Sequence, residues 1–180
     1  MRADAQRNRD QIVAAARTLF TVNGVEAPME EVAQAAGVGV GTLYRRFPDR
    51  DALLNAVSTD MFHRLIQMIA TASAEETTGW TVLRRFLRDW ADYRLGLLRD
   101  PICTGMAEAI KVDPGLREIR QQWLDEFDDV IRRAHEEGEL RTDVGLTEIA
   151  TFMTMLSRQE PGPAADRILD VVLDGLRRGT

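Results

Sequence analysis

A six-residue stretch near the N-terminus, GTLYRR, carries groups that suit contacts with nucleic acid. Gly41 leaves a backbone that a partner can approach closely, and Thr42 and Tyr44 supply hydroxyl groups. Arg45 and Arg46 supply two guanidinium groups, which donate hydrogen bonds to phosphates and to base edges. The chemistry that these residue types favour is therefore nucleic-acid binding.

Two short helices joined by a glycine turn would present these groups. The stretch from Glu30 to Phe47, EEVAQAAGVGVGTLYRRF, begins with a small apolar helical face, and Gly37 can adopt the left-handed conformation that ends a helix. Val40 and Leu43 then restart an apolar face. The pattern predicts a helix-turn-helix whose second helix exposes the arginines.

The glycines of GVGVGT also resemble a phosphate-binding loop for a nucleotide. A dinucleotide fingerprint needs a preceding strand and the spacing GxGxxG, and a P-loop needs a lysine followed by Ser or Thr. Here an alanine-rich helical segment precedes the turn and no lysine follows it. The context argues against a nucleotide site.

Residues from about Arg7 to Val57 resemble the N-terminal DNA-binding domain of the TetR family of bacterial transcriptional repressors. AGVGVGTLYRRF is similar to the family's turn and recognition helix, and an earlier apolar stripe that ends at Asn23-Gly24 is similar to the helix that braces them. Arg50 stands where the family usually has a lysine at the start of its fourth helix, which implies a phosphate contact. The resemblance implies a DNA-binding set of Gly41, Thr42, Tyr44, Arg45, Arg46 and Arg50.

Two departures from the family pattern remove side-chain hydroxyls. Gly39 replaces the usual serine of the turn, and Pro28 stands where a serine or threonine normally starts the second helix, in a segment one residue shorter than the common form. Proline is compatible with a helix start, and Glu30 and Glu31 favour the positive end of the helix dipole. We expect the second helix to form without a side-chain cap.

Charge and composition set further limits on the function. The net charge is −6, and residues 1–57 contain seven arginines against seven Asp or Glu, so DNA binding would depend on local arginine placement. No apolar run has transmembrane length and the first residues lack a signal-peptide core, which predicts a cytoplasmic protein without membrane contact. Cys103, His63 and His135 show no metal-ligand spacing, so we expect no metal and no cofactor.

The chain beyond Val57 has helical periodicity, which predicts an all-α fold of about nine helices. The family resemblance implies that these form a three-helix DNA-binding head at 1–57 and a helical-bundle regulatory body at 58–180, which binds ligand and dimerises. We expect a fourth helix from near Asp49, a loop at 70–79, and helices punctuated by Asp100-Pro101 and Asp113-Pro114. The last two helices are expected at 144–157 and 164–178.

The body offers two predicted surfaces, and plain core packing is the alternative for every residue of both. The family resemblance implies a small-molecule site, for which mostly apolar side chains of the body are candidates. It also implies that the last two helices form a dimer interface. The candidate ligand wall comprises His63, Trp80, Phe86, Trp90, Tyr93, Met106 and Trp123, and the candidate interface comprises Leu146, Ile149, Phe152, Met153, Leu156, Ile168, Val171, Val172 and Gly175.

Two classes of function follow from these features. The favoured one is a TetR-like homodimeric repressor that binds a palindromic operator in double-stranded DNA and is released by an apolar small-molecule inducer. The alternative is a helical small-molecule-binding protein or enzyme whose helix-turn-helix is vestigial. The sequence has no nucleophile motif, no evident carboxylate pair and no cofactor fingerprint, so we predict that it is not an enzyme.

Overall fold

Eight α-helices form the part of the chain that the computed structural model describes, namely residues 2–93, 113–157, 159 and 162–178. Within these ranges the extended pairing is confined to one isolated antiparallel bridge, between Leu140 and Arg177. The all-α expectation is confirmed, while the helix expected after Pro101 lies outside the described residues. The helices are α1 (Arg2–Asn23), α2 (Met29–Ala35), α3 (Val40–Arg46), α4 (Arg50–Glu75), α5 (Gly79–Tyr93), α6 (Pro114–Glu136), α7 (Leu146–Ser157) and α8 (Pro163–Leu176).

The chain packs as two compact units. Of the described residues, the first unit contains 2–61 and 113–119, and the second contains 62–93 and those from 120 onward. Helices α4 and α6 each contribute residues to both units.

In the first unit, α1 carries the apolar stripe that its sequence predicts. Ile12, Ala16 and Phe20 are fully buried at helical spacing. The helix stops where Gly24 adopts a φ of +80° and donates its N–H to the Phe20 carbonyl at 3.0 Å. As expected, Pro28 stands at the cap of α2 and has no hydroxyl to offer.

Helix α4 continues through Glu75, so the loop expected at 70–79 is wrong for most of its length. Ile69 and Ala72 lie three residues apart and are both buried, so continuing the helix buries apolar surface. Alanine and glutamate are also strong helix formers. The segment between α4 and α5 is short because Thr78 caps α5: its hydroxyl accepts the Thr81 N–H at 3.2 Å.

In the second unit, α5 and α6 approach closely at Gly79. A Cβ atom placed on Gly79 would lie 2.4 Å from the Ala134 backbone nitrogen, so only glycine fits. Helix α6 ends at Glu136, two residues before Gly138, which has a φ of +74°.

The last two helices are shorter than expected. Helix α7 begins at Leu146, two residues late, since His135 Nε2 lies 2.9 Å from the Val144 carbonyl oxygen, in contact with that backbone. Helix α8 ends at Leu176 because the following backbone pairs elsewhere: the Arg178 N–H donates to the Glu139 carbonyl at 2.8 Å. A side-chain contact therefore marks the start of α7, and a long-range backbone hydrogen bond marks the end of α8.

Candidate nucleic-acid interface

The turn between α2 and α3 has a complete left-handed cap. Gly37 adopts a φ of +67° and donates its N–H to the Gln34 carbonyl at 3.1 Å. The Val38 N–H reaches back to the Ala33 carbonyl at 3.0 Å, the second bond of a Schellman motif. This geometry fixes the direction in which the chain enters α3, as the sequence predicted for Gly37.

One buried side chain anchors α3 to the head. Leu43 is fully buried, whereas the residues on either side of it point outward or are half-buried. Gly39 begins the helix, and its carbonyl accepts the Thr42 N–H at 2.8 Å and the Leu43 N–H at 3.1 Å. As expected, the cap has no hydroxyl, because Gly39 replaces the serine.

The five α3 residues expected to contact DNA lie away from the buried Leu43. Tyr44 is 42% exposed, and Gly41, Arg45 and Arg46 are exposed as well. Thr42 is half-buried, and its hydroxyl accepts a long hydrogen bond of 3.4 Å from Arg45 Nη2. A Cβ built on Gly41 would meet no described atom within 4 Å, so the backbone there is open to a partner.

Val40 departs from the expectation, since it was placed on the apolar face with Leu43 but is 41% exposed. The helix has seven residues and is anchored by Leu43, so its first turn projects beyond the core. An exposed aliphatic side chain on this surface suits the methyl group of thymine. The glycines on both sides of Val40 could have indicated its exposure from the sequence, because they supply no apolar side chains beside it.

Arg50 is half-buried, and its guanidinium is turned toward the protein backbone. Its Nη1 donates to the carbonyls of Val25 and Ala27, the latter at 2.7 Å. These acceptors lie in the turn between α1 and α2. Arg50 therefore differs from the five α3 residues in two ways: it lies on α4, and its side chain contacts the turn between α1 and α2.

Comparison with known proteins agrees with this geometry. Residues 12–57 match the family of bacterial regulatory proteins called tetR, and residues 80–178 match the C-terminal domain of SbtR-like transcriptional regulators. The chain belongs to the TetR family. Its members are DNA-binding transcriptional regulators, so the α2–α3 pair is the helix-turn-helix of a TetR-family regulator.

Solved structures and curated relatives support the assignment. A TetR transcriptional regulator from Streptomyces coelicolor is 31% identical, with a TM-score of 0.71 over 96% of this chain and 99% of that one. A TetR transcription regulatory protein from Mycobacterium vanbaalenii is 30% identical, with a TM-score of 0.68 over 98% and 99%. An HTH-type transcriptional regulator from Staphylococcus aureus is 46% identical over 54 residues, 29% of each chain, so the match spans under a third of that relative.

The candidate ligand wall of this TetR-family chain is placed in several environments. His63 is exposed, while Tyr93 and Trp123 are half-buried. Trp80, Phe86 and Trp90 are almost fully buried, and Met106 lies outside the described residues.

Part of the wall contributes to an aromatic cluster within the second unit. Trp123 stacks on Phe127 with ring centroids 5.7 Å apart and also meets Phe62 at 5.9 Å, while Phe86 meets Phe127 at 4.8 Å. The Trp123 Nε1 is buried and has no hydrogen-bond partner among the described residues. Within the described ranges, this N–H is a donor without an acceptor beside apolar rings.

A separate open groove of about 400 Å³ lies on the second unit. It contains none of the candidate ligand residues. The groove lining mixes apolar and charged side chains: Ile69, Ala70, Ser73, Glu126, Asp129, Val130, Arg132, Arg133 and Glu136.

No helix in the described ranges is long and apolar enough to cross a membrane.

The candidate dimer residues divide into a buried set and an exposed set. Ile149, Met153 and Leu156 are at most 5% exposed and face the chain's own core rather than a free surface. Ile168 and Val171 are 45% and 71% exposed. Gly175 is exposed too, while Leu146, Phe152 and Val172 are half-buried.

Sequence reasoning missed Met155, which is 64% exposed on α7. We call Met155, Ile168 and Val171 the apolar face of the last two helices. A hydrophobic stripe alone does not tell which of its members turn inward.

Proposed function

We propose that this TetR-family chain is a transcriptional repressor that binds, as a homodimer, a palindromic operator in double-stranded DNA. An apolar small molecule bound to the body releases it. The observation that carries the proposal is the outward surface of α3, where an open glycine backbone, two hydroxyl groups and two arginines lie opposite a single buried leucine. A recognition helix in a major groove needs such a surface.

Each exposed group on α3 has a chemical partner on DNA. Arg45 and Arg46 donate to guanine edges or phosphates, and Tyr44 donates its hydroxyl to a phosphate. Val40 contacts a thymine methyl. Gly41 lets the helix approach the duplex without a side chain between them.

Two copies are needed for a specific site. One recognition helix reads a few base pairs, and a two-fold dimer reads two half-sites about 34 Å apart. The apolar face of the last two helices supports this arrangement, because the exposed apolar side chains of Met155, Ile168 and Val171 favour contact with a second copy. The operator is palindromic because the dimer is symmetric.

Release by a ligand follows from a population shift. A ligand that prefers the dimer with the wrong spacing between recognition helices lowers operator affinity by the ratio of its affinities for the two states. Aromatic rings beside the Trp123 N–H, which has no acceptor in the part of the chain that the structure describes, favour a mostly apolar ligand with one hydrogen-bond acceptor.

The experiment that tests the proposal is binding of the purified protein to the DNA just upstream of its own gene, at two salt concentrations, beside a scrambled duplex of equal length. We expect specific, salt-sensitive binding with two protomers per site. Absence of binding to either duplex at low salt would favour the ligand-binding alternative.

Arg45→Ala separates base recognition from general attraction to DNA. We expect it to lower affinity for the operator much more than for the scrambled duplex. An equal loss on both duplexes would place the Arg45 guanidinium on a phosphate. Repression itself is tested by a reporter gene behind the operator, and a candidate inducer that binds tightly without changing operator affinity would refute the release mechanism.

A further inference from the structure

Arg50 is the first residue of α4, yet its side chain reaches back to the turn between α1 and α2. Its Nη1 carries two hydrogens, and each has an acceptor: the carbonyl of Val25 and the carbonyl of Ala27. The side chain is half-buried. One guanidinium nitrogen thus joins two backbone sites more than twenty residues away in sequence.

The turn that Arg50 holds determines where α2 begins. It follows Gly24, whose φ of +80° ends α1, and it leads directly to the cap of α2 at Pro28. Proline offers no side-chain cap, and the Val25 and Ala27 carbonyls lie outside the helices. The bonds from Arg50 donate to carbonyls and so do not replace the acceptor of a hydroxyl cap, but they tie the backbone just before α2 to the start of α4 with charge-assisted hydrogen bonds.

The position of α2 in turn sets the position of α3. Val32 and Ala33 of α2 are fully buried, as is Leu43 of α3, and the capped turn at Gly37 joins the two helices. A displacement of the start of α2 is therefore passed to the recognition surface. This step rests on the DNA-binding function proposed above.

We propose that Arg50 is a positioning residue for DNA binding, which acts through the carbonyls of Val25 and Ala27 rather than through a phosphate. A phosphate contact requires only a positive charge at this place, which lysine supplies equally well. Bridging two carbonyls with one nitrogen requires the reach of arginine, because the lysine nitrogen ends one bond short of Nη1.

The test compares Arg50→Lys, Arg50→Met and the unchanged protein, with Arg46→Met as a control for loss of an exposed arginine. Operator affinity is measured over a range of salt concentrations, and thermal unfolding is measured on the same full-length samples. We expect Arg50→Lys to lower operator affinity about tenfold and to lower Tm, with no change in the slope of log K against log salt. Arg46→Met should flatten that slope by about one unit.

Two outcomes would overturn the proposal. Operator affinity and Tm of Arg50→Lys equal to those of the unchanged protein would mean that charge alone suffices. A slope flattened by about one unit in Arg50→Met, with Tm unchanged, would assign Arg50 to a phosphate. If the unchanged protein itself shows no specific DNA binding, the proposed function fails instead, and Tm of the two variants still decides whether the carbonyl contacts matter.

Discussion

Replacement of Gly41 by alanine tests whether α3 approaches DNA at backbone distance. The added Cβ would meet no described atom within 4 Å, and Gly41 is not among the glycines with positive φ. Alanine therefore fits the unbound protein without strain. A glycine-to-alanine change in an exposed helix stabilises by up to about 1 kcal/mol, and near the start of this seven-residue helix we expect about 0.5 kcal/mol.

The same methyl group should weaken DNA binding. It stands on the exposed side of α3, between Arg45 and the start of the helix, where the duplex is proposed to lie. Forcing an extra methyl group into a packed contact costs about 1–3 kcal/mol. At 1.4 kcal/mol for each factor of ten, operator affinity should fall by between about fivefold and about a hundredfold, and both heads of a dimer would contribute.

Denaturant unfolding and fluorescence anisotropy with a labelled operator measure the two effects on one sample. An alanine at Gly41 that leaves operator affinity unchanged would refute close approach of the backbone. Loss of stability would contradict the open surroundings of this glycine.

Three other substitutions test separate parts of the molecule. Tyr44→Phe should cost about 1 kcal/mol of operator binding, or about fivefold in affinity, and full retention would place the hydroxyl away from phosphate. Gly79→Ala should lower the free energy of unfolding by about 1–3 kcal/mol in thermal melts, because its Cβ would lie 2.4 Å from the Ala134 nitrogen. Gly145→Ala is the matched control, since its Cβ would meet Glu148 Oε2 at an ordinary 3.6 Å and should change little. Val171→Asp should convert dimers to monomers in light scattering and weaken operator binding, and a persistent dimer would exclude this face as the interface.

The helix-turn-helix could be predicted because its signals are local. Gly37 is needed where the backbone enters the left-handed region, and the Schellman bonds that it permits join residues within six positions of one another. Leu43 lies in the middle of α3, where a short helix needs one apolar side chain to contact the core. The family resemblance then pointed to Tyr44 and the two arginines, and the structure leaves those side chains exposed.

Local signals were insufficient where packing decides the outcome. The polar stretch at 70–79 suggested a loop, but buried Ile69 and Ala72 extend α4 to Glu75. Val40 has an apolar side chain at a core-like spacing, yet the core does not reach the first turn of α3. In both places, packing against other helices decides the local structure or exposure of a residue more strongly than its residue type does.

By itself, the sequence determined the all-α class, the helix-turn-helix and the exposure of Tyr44, Arg45 and Arg46 on α3, because helix periodicity and glycine conformations are properties of short segments. Tertiary structure alone decided that Arg50 reaches the turn after α1 and that the last two helices bury Ile149 but expose Val171. Those outcomes depend on contacts between residues far apart along the chain, and periodicity places a side chain on a face without showing what covers that face.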